Sequence, residues 1–76
     1  MYDYNQIIPH RLKYYREKYG FTQLEISNQL SIKRSTYANW ERGHRIPDIN
    51  ALANLADIYQ TTIDDILGRT DIKKEG

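Results

Sequence analysis

The chain has 76 residues, 11 Lys/Arg against 10 Asp/Glu for a formal net charge of +1, and no cysteine. That length holds one small domain with a marginal core, and the lack of cysteine excludes a disulfide framework or a thiolate metal site. No apolar run approaches the ~20 residues of a membrane span, and the N-terminus lacks the basic-then-apolar layout of a secretory signal, so a cytoplasmic setting away from membranes is expected.

Glycine and proline punctuate the chain at positions that separate helices. Gly20, Gly43 and Gly68 each follow a helix-like run, where a left-handed cap fits. Residues 1–7 are read as an N-terminal arm or helix extension. A first helix is expected from Pro9 to Tyr19, with proline in its first turn and Ile8, Leu12, Tyr15 and Tyr19 at spacings of three and four. A second begins after Thr22, which forms a Thr-x-x-Glu capping box with Glu25, and ends near Leu30. The third runs from Arg34 to Arg42. After the loop Gly43-His44-Arg45-Ile46-Pro47, Asp48 caps a fourth helix with the apolar stripe Leu52, Leu55, Ala56 and Tyr59. Thr62 caps a fifth, carrying Ile63, Ile66 and Leu67 before Gly68. Residues 69–76 form a polar tail. Neither sustained alternation nor a hairpin turn signals a strand, so the expected class is all-α, with the domain over residues 8–68.

Charge is unevenly spread. Residues 10–45 hold eight Lys/Arg against three Glu, a net of +5, whereas residues 46–67 hold four Asp and no Lys/Arg. Such a chain can offer a basic face to a polyanion while its acidic face stays in solvent; ordinary scatter of surface charge is the alternative.

The most informative stretch is Gln23 to Arg42. Counting Gln23 as the first of twenty positions, apolar residues fall at the fourth (Ile26), eighth (Leu30), tenth (Ile32), fifteenth (Tyr37) and eighteenth (Trp40). Two helices crossing steeply over a short turn need that pattern: one stripe each, plus one apolar residue in the turn. The fifth position, where the helices approach, needs a small side chain, and Ser27 is small. The ninth position favours positive φ; Ser31 stands there at a cost of roughly 1 kcal/mol or more relative to glycine.

The segment Phe21-Thr22-Gln23-Leu24-Glu25-Ile26-Ser27, then Ser35-Thr36-Tyr37-Ala38-Asn39-Trp40-Glu41-Arg42-Gly43 and Arg45-Ile46-Pro47, resembles the phage repressor and Cro-type (XRE-like) helix-turn-helix family. Leu52-x-x-Leu55-Ala56 and Thr62-x-Asp64-Asp65-Ile66-Leu67-Gly68 are similar to that family's fourth and fifth helices, so the likeness covers residues 8–68. It implies a compact five-helix, lambda-repressor-like bundle and a transcriptional repressor that binds double-stranded DNA. The sequence departs from the family pattern in three places. Lys33 stands where a Ser or Thr cap is common, Leu24 where the residue is usually polar, and Ser27 where alanine is commoner.

On that fold the N-terminal residues of the third helix enter the major groove. Lys33, Arg34, Ser35, Thr36 and Asn39 are the candidate base contacts, since arginine can grip guanine and asparagine adenine bidentately. The plain alternative is an exposed polar helix face. The resemblance implies that Gln23, at the start of the second helix, bonds a backbone phosphate, assisted by the helix dipole; otherwise it is a simple helix-start residue. Arg42, His44 and Arg45 cluster after the third helix as further phosphate contacts, His44 equally as an ordinary surface residue. The family also suggests an Arg16–Glu41 bridge.

A homodimer on a palindromic operator would set two recognition helices about 34 Å apart. Ile63, Ile66 and Leu67 are the candidate interface, with Tyr2, Tyr4 and Ile7 as additional possibilities. The competing reading is a protein-interaction module, such as an autoregulating antitoxin with an unspecified protein partner. No enzyme, cofactor or metal site is expected: His10 and His44 lack neighbouring ligands at suitable spacing, and no nucleophile, acid–base pair or phosphate loop is visible. Trp40 and most of the seven tyrosines read as core or boundary residues rather than base-stacking platforms. Asp64-Asp65 reads as favourable charge in a first helical turn.

Overall fold

A computed structural model describes residues 3–69. Five helices follow in order: α1 Tyr4–Lys18, α2 Gln23–Leu30, α3 Arg34–Arg42, α4 Ile49–Ile58 and α5 Ile63–Ile66. Among the described residues there is no strand. Tyr2 and most of the polar tail lie outside the described residues.

The helix starts follow from their caps. Thr22 Oγ1 accepts from the Glu25 N–H at 3.1 Å while Glu25 Oε1 accepts from the Thr22 N–H at 2.8 Å, so the capping box is complete. Asp48 accepts from the Ala51 N–H at 2.9 Å, and Thr62 from the Asp65 N–H at 3.0 Å. Lys33, by contrast, makes no side-chain cap for α3. Ser31 closes α2 at φ 58°, in the left-handed region expected at the ninth position.

The first helix corrects the sequence reading. It starts at Tyr4, capped by Asp3, rather than at Pro9, and Pro9 lies inside it. A proline at this depth removes the N–H that would bond the Asn5 carbonyl. That carbonyl faces the loop after α3, where a Cβ on Gly43 would come within 3.3 Å of it and 3.5 Å of Pro9 Cγ. The bare glycine, at φ +82°, lets the end of α3 seat against the first turns of α1.

The core gathers one face from every helix: Ile8 and Leu12, Ile26, Tyr37 and Trp40, Leu52, Leu55 and Ala56, Ile66, with Tyr59 just after α4. Burial of each large apolar side chain contributes about 1.5–3 kcal/mol, and these contacts hold helices too short to persist alone. α2 and α1 both pack on α3, while α5 packs on α4 and α1. Ser27 is fully buried where a small residue was expected, its hydroxyl donating to the Leu24 carbonyl at 2.8 Å.

A polar clamp fastens α5 to α1. Arg11 donates to the Asp65 carbonyl at 3.0 Å and to its carboxylate at 3.1 Å. Tyr15 and Thr61 donate to the other carboxylate oxygen. Burial, then the bond to Asp65, pushes the Tyr15 hydroxyl pKa up. Asp65 therefore does more than favour a helix dipole: it ties the two ends of the fold together.

Candidate nucleic-acid interface

α3 divides its residues by helical period. Tyr37, Ala38 and Trp40 face inward and are buried, whereas Lys33, Arg34 and Ser35 are exposed and Thr36 and Asn39 are half-exposed. All five candidate base contacts thus lie on the outer side of one helix and the residue that precedes it. Among the described residues, no hydrogen bond within the chain engages the side chains of Lys33, Ser35, Thr36 or Asn39.

Arg34 differs. Its Nη1 donates to Gln23 Oε1 at 3.2 Å. Gln23 Nε2 in turn donates to Glu41 Oε1 at 3.1 Å. Gln23, expected at a phosphate, is half-buried between these partners.

Glu41 anchors this end of the site. Arg16 grips its carboxylate with two parallel bonds, Nε at 2.7 Å and Nη2 at 3.1 Å, and caps the Phe21 carbonyl with Nη1 at 3.1 Å. The bridge that the family suggested is therefore present, with side chains only 16% and 5% exposed. Burial alone would raise the Glu41 pKa, but hydrogen bonds from Arg16, Tyr37 and Gln23 outweigh it and hold the group below its ordinary range. The same pairing raises the pKa of Arg16. The Tyr37 and Tyr59 hydroxyls lie 2.7 Å apart in the core and share a hydrogen bond. Burial first, and then these neighbours, pushes the Tyr37 hydroxyl far above its ordinary value; Tyr59 is pushed up to about 12, chiefly by burial.

The loop after α3 turns back on the helix, the His44 and Arg45 N–H groups meeting the Asn39 carbonyl at 3.0 and 3.4 Å. Arg42, His44 and Arg45 are exposed there. α3 is about 13 Å long at 1.5 Å per residue, so these groups stand at the opposite end from Arg34. Asn39 and Arg45 share the wall of an open groove of about 580 Å³ whose floor includes Trp40 and Ile32.

Of the expected dimer residues, Ile66 requires correction: it is fully buried in the core of its own chain and has no surface to give a partner. Ile63 and Leu67 are half-buried at the edge. Ile7 instead packs within the chain, 2.9 Å from where a Cβ on Gly68 would stand. Sequence reasoning missed the tie between Gln23 and Arg34 and the apolar exposure of Ile46 (46%) and Ile49 (66%), and it flagged Leu24, which is 53% exposed. Among the described residues, no group of three His, Asp or Glu side chains could hold a metal, and no helix is long and apolar enough to cross a membrane.

A family model described as helix-turn-helix matches residues 12–66. The HTH-type transcriptional regulator AnsR of Bacillus subtilis is 42% identical over 64 residues, 84% of this chain and 55% of that protein. ImmR, an HTH-type transcriptional regulator of the same organism, is 37% identical over 65 residues, 86% of this chain and 51% of its own length. A Vibrio cholerae protein, the cryptic phage CTXphi transcriptional repressor RstR, is 30% identical over 70 residues, 90% of this chain and 62% of that one. The chain spans about half the length of the first two relatives. No solved structure matches the chain. With its buried α2–α3 pair, its capped turn and this match over most of its length, the chain belongs to the helix-turn-helix family of the phage repressor and Cro type.

Proposed function

We propose that the chain is a sequence-specific, double-stranded-DNA-binding regulator of transcription, acting as a repressor. One observation carries this reading: α3 locks Tyr37 and Trp40 into the core and leaves Arg34, Ser35 and Asn39 facing outward on a rigid support. A helix so mounted fits the major groove, with Arg34 suited to guanine and Asn39 to adenine. Ser35 and Thr36 add shorter-range contacts, and Lys33 reaches a base or a phosphate. Arg42, Arg45 and His44 would bind phosphates and set register without reading sequence. Names of relatives that include transcriptional regulators and a phage repressor support the same reading.

We further propose a homodimer on a palindromic operator, with Ile63 and Leu67 at the edge of the contact. Three cations per protomer (Lys33, Arg42 and Arg45) would then engage about six phosphates, giving a slope of log affinity against log salt near −5. Equilibrium binding to duplexes across a salt series tests the reading. Affinity for selected sites that exceeds random duplex by about 10³ or more, and falls steeply with salt, is expected. Binding to a protein partner without affinity for duplex would contradict it and favour an interaction module.

A further inference from the structure

We infer that the groove beside α3 takes an acidic protein segment bearing a bulky apolar side chain, which competes with DNA for the reading face; this rests on α3 reading base edges as proposed above. Thr36 and Asn39, two of the proposed base contacts, line the groove together with Arg45, a proposed phosphate contact. Ile32, Trp40 and Ile46 supply its apolar lining. At about 580 Å³ the groove falls within the ~300–1,000 Å³ of ordinary ligand clefts.

DNA accounts for only part of this surface. Base edges and phosphates engage the polar residues, but a polyanion gains little from isoleucine. Yet Ile46 is 46% exposed, and Ile49, next to the groove-lining Asp48 in the chain, is 66% exposed. Exposed apolar side chains gathered beside polar ones mark a surface for another protein. A second copy of this chain does not fit that place, since it would cover Thr36, Asn39 and Arg45 in the very dimer that must present them to DNA. The occupant is therefore a partner that excludes DNA rather than one that accompanies it.

Charge sets the chemistry of that partner. Among the described residues, no hydrogen bond or ion pair within the chain engages the Arg45 guanidinium, which leaves its fork of donors open to a carboxylate. Asp48 lines the same groove, its carboxylate accepting the Ala51 N–H at 2.9 Å. It repels a second negative charge, so the acid of the partner lies beside Arg45 and away from Asp48. An apolar side chain packed on Ile32, Trp40 and Ile46 supplies the contact that DNA cannot. Filling the groove in this way releases the operator.

Short peptides selected on the wild type from a random library test this, each then competed against a duplex carrying the preferred site. The selected peptides should pair Asp or Glu with a bulky apolar residue, give way to the duplex, and change the fluorescence of Trp40, the chain's one tryptophan. Ile46→Ser alters an exposed position outside the proposed DNA contacts. It should weaken the peptides roughly tenfold, the scale of one buried aliphatic side chain, and leave duplex affinity unchanged. Replacing the acid of a peptide by its amide should cost a similar factor. Failure to recover acid–apolar peptides, peptides that bind alongside the duplex, or peptides indifferent to Ile46→Ser would overturn the inference. Self-association of the wild type that Ile46→Ser abolishes would also overturn it, by giving the groove to a second copy. Acid–apolar peptides that need Ile46 in a wild type with no duplex affinity would instead count against DNA reading by α3 and leave the groove as a protein-binding site.

Discussion

Removing Glu41 should damage this domain more than any surface change, and differently from removing its partner. In Glu41→Ala, Arg16 keeps only the Phe21 carbonyl as an acceptor while its side chain stays 16% exposed. Gln23 loses its anchor. Breaking one side of such a buried pair costs about 3–5 kcal/mol. At roughly 0.05–0.15 kcal/mol per residue, a chain of this size has about 4–11 kcal/mol in total, so the variant should be marginal or unfolded. Arg16→Met is a different case. Glu41 would keep its bond from Gln23 but lose the largest influence that lowers its pKa, so the downward shift should shrink. In the wild type the lowered folded-state pKa makes Glu41 stabilising above the ordinary range, with that contribution lost as pH falls through the folded value. In Arg16→Met that acid-side loss should be smaller, because less of the stability then depends on an ionised Glu41. Urea unfolding followed by circular dichroism, repeated from acid to neutral pH, reads both effects. A loss below about 1 kcal/mol in Glu41→Ala, the scale of an exposed pair, or parallel pH profiles for wild type and Arg16→Met, would refute the buried anchor.

Gly68→Ala should destabilise by about 1–2 kcal/mol more than Gly20→Ala. Both glycines have φ near +75°, but a Cβ at Gly68 meets Ile7 Cγ2 at 2.9 Å whereas Gly20 faces open space; equal losses in urea unfolding would contradict this. Above pH 10 the fold should weaken by roughly 1.4 kcal/mol per pH unit for each buried hydroxyl of Tyr37 and Tyr59, because their raised pKa values keep them protonated only while folded. Stability unchanged up to pH 12 would count against that core pair. Ile66→Ala should cost about 2–5 kcal/mol in unfolding without weakening self-association of the folded fraction in sedimentation, which Ile63→Asp and Leu67→Asp should disrupt. The reverse pattern would contradict the burial of Ile66.

Much of the fold was legible because its signals are local. The Thr22–Glu25 box, the Asp48 and Thr62 caps and positive φ at Ser31 each lie within a few residues of what they control. The helix-turn-helix core was legible from period alone, and the Arg16–Glu41 bridge from the family likeness. What escaped depends on separation in sequence or on rotation about a helix. Nothing near Asp65 announces that Arg11, 54 residues away, will hold it, so it read as a dipole partner. Ile63, Ile66 and Leu67 share a spacing, yet in a four-residue helix only Ile66 turns fully inward. Pro9 read as a helix start because a proline deeper in a helix costs a hydrogen bond; Asp3 was the overlooked cap. Charge counting also overstated the free basic surface, since Arg11 and Arg16 are engaged in ion pairs within the chain.

Selection of bound sites from a pool of random duplexes, run in parallel on the wild type, Arg34→Ala and Arg45→Ala, probes the outer face of α3 most directly. The wild type should enrich one defined site, Arg34→Ala should lose the preference at a single guanine at a cost of about 1–3 kcal/mol, and Arg45→Ala should keep the same site at lower affinity. Recovery of the identical guanine preference by Arg34→Ala would mean that the helix does not read bases with the residues it turns outward.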